Sequence, residues 1–241
     1  MTEASATPML AHEPCAYCTV ERGSEEDHVI ARQFFPKTGS FRANLPKVPC
    51  CARCNRAKQR VEDGVAVWFQ LGDGSPGSAG VVEERLRRTL TRNQRLARTL
   101  RERTKRVWAR TPGGILTRRL ALVLPPELLR DAHQWFTYIA RGLYRHESGT
   151  VLPVSHRILL IRPTNPAHYR YLLGWLSRIP DHISRSLGSG EFRYLMAQNP
   201  AELLSLWLVS FRSIDIAALT IGPDCPQLLS AALERIEWKA G

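Results

Sequence analysis

Two pairs of cysteines in C-x-x-C spacing, Cys15/Cys18 and Cys51/Cys54, bracket a segment that carries Glu26-Asp27-His28 and Asn44, and Asn55 and Lys58 follow the last cysteine closely. A C-x-x-C turn holds two thiolates near enough to share one ion, and two such turns complete the four-sulfur shell that zinc prefers. Sulfur ligands favour zinc over magnesium or calcium, which take oxygen. Disulfides are the plain alternative, but nothing in the chain points to export. A redox C-x-x-C is another, though it has no need of a second pair. Cys50 competes with Cys51, since Cys50-x3-Cys54 is also a workable knuckle; the regular spacing favours Cys51. Cys50 and Cys225 are then small apolar residues.

Asp27, His28 and Asn55 describe a second kind of chemistry. Phosphodiester hydrolysis needs a water, a base to deprotonate it and a cation to stabilise the charge that develops on phosphate and leaving oxygen. An imidazole with an ordinary pKa of about 6.5 suits the base. A carboxylate plus an amide oxygen leaves coordination positions open for phosphate and water, a set that suits Mg2+ or Mn2+. His28 also reads as a zinc ligand standing in for a cysteine or as a surface histidine, and Asn55 as a helix N-cap.

Residues 1–60 hold few large apolar side chains, so their core alone would be marginal. A structural zinc site supplies roughly 10–16 kcal/mol of folding free energy, which makes the ion the expected organiser of this module. Around the ligands, Asp27–Ile30 reads as a short strand. Residues 37–49, rich in Gly, Ser, Asn and Pro, read as a loop or irregular return strand. Asn55 onward reads as a helix to about Gly64, with residues 65–70 extending it or packing on it.

The ordered pattern C-x-x-C, Asp-His-Val-Ile, Asn, Val-Pro-x-Cys-x-x-Cys-Asn-x-x-Lys resembles the HNH endonucleases, in their zinc-stapled, treble-clef-like ββα-metal branch, over about residues 15–62. The resemblance implies that His28 is the general base and that Asp27 and Asn55 hold one catalytic divalent cation, Mg2+ or Mn2+. It implies that Asn44 fixes the loop and orients the histidine ring, and that Lys58 contacts phosphate. Two positions depart from the pattern: Ala31 stands where the family often has proline, and residues 35–39 replace a glycine-rich turn. These bear on Asn44 and not on Asp27, His28 or Asn55.

The rest of the chain must position that module and supply its partner. The formal net charge is +12 in 241 residues, dominated by arginine, which implies a polyanion, nucleic acid and most simply double-stranded DNA, ahead of a membrane surface. Residues 1–14 lack the basic start and apolar centre of a signal peptide, and no apolar run is long enough to span a bilayer. With reduced cysteines, a cytoplasmic protein is expected. Residues 71–80 break the chain as a linker. Residues 81–110 contain no Gly or Pro, carry eleven basic residues against three acidic ones, and place apolar residues at helical spacing. They are expected to form one long basic helix, ended at residues 111–114. Arg85, Arg88, Arg92 and Arg95 would track phosphates and give salt-sensitive, sequence-independent affinity; the plainer reading is a solvated helix face.

Residues 115–241 read as a mixed α/β region, so the expected class is α+β: zinc module at 15–70, basic helix at 81–114, mixed region with an antiparallel sheet beyond. A helix is expected from Pro125-Pro126-Glu127 to about Arg145, and a strand over 156–161. A further helix is expected over 166–178, and an antiparallel meander over 192–198, 203–211 and 214–221, whose middle run also fits a helix. A closing helix covers 226–239. Arg141, Arg145, His146 and Glu147 form a candidate polar group, or simply complement the helix dipole. The remaining histidines read as structural or surface residues. Two functions from different classes fit: a metal-dependent endonuclease, and a non-catalytic zinc-stapled nucleic-acid binder. The Asp27/His28/Asn55 set separates them, because a binder does not require it.

Overall fold

The computed structural model describes residues 13–37, 40–71, 88–111, 113–122, 126–161, 182–199, 204–211 and 214–223, with residues 170, 173, 174 and 176. The expected linker over 72–80, Arg85, Cys225, the closing helix and most of the helix expected over 166–178 lie outside them.

The four-cysteine region folds as two short antiparallel strands and a helix. β1 (Glu25–His28) pairs with β2 (Lys47–Cys50) in the register Glu25 to Cys50 and His28 to Lys47, and α1 (Ala52–Leu71) follows at once. Strand alternation turns Glu25 and Asp27 to one face of the hairpin and Glu26 and His28 to the other. Glu26 bonds Lys47 across the strands at 2.9 Å on that second face, while Asp27 and Glu25 meet side chains of α1. The helix passes through Gly64 without a break and includes residues 65–71.

The basic stretch is not one helix. Residues 88–92 are helical and α2 spans Gln94–Arg103, but Thr104–Arg110 is a strand, β3, paired along its length with β4 (Leu116–Leu122). Thr104, Val107 and Trp108 are β-branched or aromatic and fit a strand. Thr104 Oγ1 also bonds Leu100 O at 2.6 Å, capping the helix it ends. Gly114 at φ +83° closes the turn after Thr111, whose N–H donates to Ile115 O at 2.8 Å. The helical arginine spacing therefore runs past its helix, and hairpin geometry wins because residues 113–114 supply the turn a continuing helix cannot use.

α3 (Pro126–Ser148) starts at the proline, as expected. β5 (Arg157–Ile161), β6 (Ile183–Leu187), β7 (Phe192–Asn199), β8 (Leu204–Phe211) and β9 (Ile214–Ile221) form one antiparallel sheet in the order β5-β9-β8-β7-β6. The meander is present, its middle run is a strand, and β6 is an additional edge.

These parts share one core. Val29, Ile30, Phe34, Phe35 and Val65 of the N-terminal region pack with Trp135, Ile139 and Leu143 of α3 and with Phe192, Trp207 and Phe211 of the sheet. Trp135 is the hub, its ring centroid 4.9 Å from Phe34 and 6.1 Å from Phe211. A Cβ at Gly142 would sit 2.8 Å from Val29 Cγ1, so glycine is what lets α3 lie against the zinc module. Described residues on both sides of 71–80 contribute to this core.

Candidate functional site

Cys15, Cys18, Cys51 and Cys54 come together with all four Sγ atoms within 4.8 Å of one another, and are the one such metal-capable group among the described residues. Tetrahedral zinc with bonds of about 2.3 Å sets its sulfurs about 3.8 Å apart; Cys18 and Cys51 Sγ are 3.9 Å apart. Tyr17 N–H and Cys54 N–H each donate to a knuckle sulfur, of Cys15 and Cys51, at 3.4 Å. The four residues fit a zinc ion. Cys50 is excluded from the group: it lies at the end of β2 with its thiol fully buried, and burial, with Asp27 next, pushes that thiol well above its ordinary range. The choice of Cys51 over Cys50 thus follows from which residue ends the strand and which stands just before α1.

Beside this cluster Lys58 is completely buried, and its ammonium is spoken for. Nζ lies 2.9 Å from Asp27 Oδ2 and 2.6 Å from Glu62 Oε1, and donates to His28 O at 2.8 Å. Tyr17 OH donates to the same Asp27 Oδ2 at 2.5 Å. Burial, reinforced by Asp27, raises the Tyr17 phenol well above its usual value, so it stays a donor. Burial pushes Glu62 up to about 7, with Lys58 pulling the other way. One ammonium facing two carboxylates in a dry site leaves a surplus negative charge, and a proton on Glu62 removes it. The expectation that Lys58 contacts phosphate is corrected: its charge is consumed inside the core, where it ties β1 to α1.

Asp27 and Asn55 are not bonded to each other. Asn55, in the first turn of α1, donates through Nδ2 to Glu25 Oε2 and lies 3.4 Å through Oδ1 from Gln59 Nε2. α1 runs alongside β1, so Asn55 sits level with Glu25 and Lys58 level with Asp27. Both partners of Asp27 hold Oδ2. Glu25, Tyr17 and Glu62 are neighbours that the sequence reading does not single out. The Lys58-x3-Glu62 spacing is a readable sign of an ion pair on one helix face.

His28 ends β1 on the face opposite Asp27, half-buried. Burial first, then Lys47 and Arg32, lower its pKa from 6.5, so the ring is neutral at neutral pH and able to accept a proton. Its Nδ1 is buried with no hydrogen-bond partner among the described residues. Asn44 is an exposed turn residue at φ +55°, a left-handed conformation asparagine tolerates; no bond joins it to the imidazole among the described residues, so it shapes the return into β2 and does not hold the ring.

The charged group at the end of α3 is structural. Arg141 donates to Leu152 O at 2.8 Å, Arg145 pairs with Glu13, and Glu147 accepts from Tyr194 OH. Arg88 and Arg92 are exposed in the 88–92 helical segment, while Arg95 belongs to α2. No helix among the described residues is long and apolar enough to cross a membrane. Comparison with family models, with curated proteins and with solved structures finds no match to the chain.

Proposed function

We propose that the protein is a metal-dependent endonuclease of the HNH type, a zinc-stapled, treble-clef-like ββα unit that hydrolyses phosphodiester bonds in double-stranded DNA. The observation that carries the reading is His28: a base held neutral, at the end of a strand whose preceding residue is a carboxylate, mounted on a four-cysteine staple. In this reading His28 takes the proton from the attacking water. Lys58 and Tyr17 both hold Asp27 through Oδ2, so Oδ1 is the oxygen that would ligate the cation, and Asn55 lies one helical turn before Lys58. A bound Mg2+ or Mn2+ would stabilise charge on the phosphate and leaving oxygen. Glu25, bonded to Asn55, orients the amide.

The non-catalytic zinc-stapled binder keeps one observation in its favour: Asp27 already has a buried cationic partner in Lys58, so the carboxylate has a structural reason to exist. The pH profile of cleavage of a short duplex with Mg2+ or Mn2+, at constant zinc content, separates the two. A neutral base is required, so activity falls as pH drops through the pKa of His28, and that acid limb lies below 6.5 because the pKa is lowered. No cleavage at any pH with either metal supports the binder instead.

A further inference from the structure

Strand β3 of the β3–β4 hairpin is exposed along almost its whole length, and the hairpin's composition is one-sided. Residues 104–122 include five basic residues and no acidic one, and α2 adds four basic against one acidic, so residues 94–122 carry +8 of the formal +12. On one face the register sets Trp108 opposite Arg118 and Arg110 opposite Leu116, with Arg106 two positions before Trp108. Trp108 is 65% exposed and Leu116 58%, and all three arginines are exposed. The Arg118 guanidinium lies 5.4 Å from the Trp108 ring centroid, which presents the two as one flat cationic surface. Trp108 and Leu116, left exposed, gain the hairpin little stability. Like charges this dense repel one another without an anion.

We propose that this hairpin is the element that seats the protein on double-stranded DNA, entering the major groove with the Trp108 face toward the bases and Arg106, Arg110 and Arg118 on the flanking phosphates. A two-stranded ribbon fits the B-form major groove, about 12 Å wide. Arg106 and Arg110 are four residues apart on one strand, about 14 Å at about 3.4 Å per residue, so their side chains reach both walls. The major groove of duplex RNA is too deep and narrow for such a ribbon, and the absence of acidic residues matches a backbone with a phosphate on each side. The Trp108 ring and Leu116 supply apolar contact to base edges, which flexible lysines alone would not. This rests on the nuclease reading for the class of polyanion and names the element that holds it.

The test is binding of the full zinc-loaded chain to a fluorescein-labelled 20-base-pair duplex, followed by anisotropy in magnesium-free buffer over a salt series. Arg106→Ala/Arg110→Ala/Arg118→Ala is compared with Arg22→Ala/Arg130→Ala/Arg193→Ala, which removes the same charge from exposed positions elsewhere. Zinc content and circular dichroism confirm that both fold. The hairpin variant is expected to bind at least tenfold more weakly and to lose about 2.7 from the log–log salt slope, at about 0.9 per phosphate contact, while the control variant loses much less. Trp108→Ala should weaken duplex binding severalfold with the slope unchanged, because it removes no charge. Equal losses in the two triple variants overturn the proposal, as does equal or tighter binding to single-stranded DNA, duplex RNA or anionic phosphatidylserine vesicles. A hairpin-dependent duplex complex that is never cut leaves this proposal standing and removes the nuclease reading; His28-dependent cutting with undiminished binding by the hairpin variant does the reverse.

Discussion

Trp135 and Trp108 sit in two regions built on opposite terms. Around Trp135 the zinc module, α3 and the sheet meet on one aromatic core, and even a lysine is fully buried there with two carboxylates. Around Trp108 a ribbon pairs with itself, and its charge and apolar surface face solvent. On the proposed reading the first region holds geometry for chemistry, which tolerates little displacement. On the same reading the second holds surface for a partner, which requires that no intramolecular contact cover it. The same residue type does both jobs because burial, not identity, sets the role.

The comparison breaks most visibly at the metal. Cys51→Ser, or zinc removal by a strong chelator, is expected to withdraw a contribution of roughly 10–16 kcal/mol, as large as a domain's usual net stability of about 5–15 kcal/mol. The expected outcome is loss of the cooperative thermal transition, together with collapse of the Trp135 core that leans on Val29 and Phe34. Retention of a native-like melt without zinc would mean the core folds the module by itself.

Trp135→Ala and Trp108→Ala sharpen the contrast directly. The buried ring is expected to cost about 3–5 kcal/mol and the exposed one less than about 0.5 kcal/mol, read from denaturant midpoints at constant zinc. Comparable losses would show that the hairpin is covered and the two regions are not different in kind.

A smaller effect comes from Glu62. Its folded-state pKa of about 7 lies above the ordinary 4.5, so the stability it contributes is full below about pH 4.5 and is lost as pH rises through 7. At about 1.36 kcal/mol per unit the loss amounts to roughly 3 kcal/mol. Glu62→Gln should therefore flatten the pH dependence of stability across that window and gain on the native chain toward pH 8; an unchanged slope would assign the dependence to other groups.

Much of the candidate site is legible in the amino-acid sequence. The C-x-x-C spacing names the four cysteines that cluster, because the geometry of each pair is local to a turn. Pro126 marks the start of α3, and strand-like runs between turn residues mark β7 and β9, while the run that forms β8 fits a helix as well. What is illegible depends on distance in the chain. Lys58 looks like a surface cation until Asp27, Glu62 and the His28 carbonyl converge on it from β1 and α1. Residues 71–80 look like a domain boundary because nothing in residues 15–70 says that Trp135 completes their core. The basic stretch misleads for a local reason: arginine is a good helix former and its spacing is helical through Arg103, while the turn that makes Thr104–Arg110 a strand lies downstream of it.

His28 is the residue on which the proposed chemistry rests. Supercoiled plasmid incubated with the zinc-loaded protein in Mg2+ or Mn2+, beside His28→Ala at equal zinc content and equal DNA affinity, is the direct measurement. The prediction is nicking or linearisation that requires the added metal and drops at least a hundredfold in the variant, the range general-base loss produces. Plasmid that is bound but left intact by the native protein, or cut equally well by His28→Ala, would contradict it.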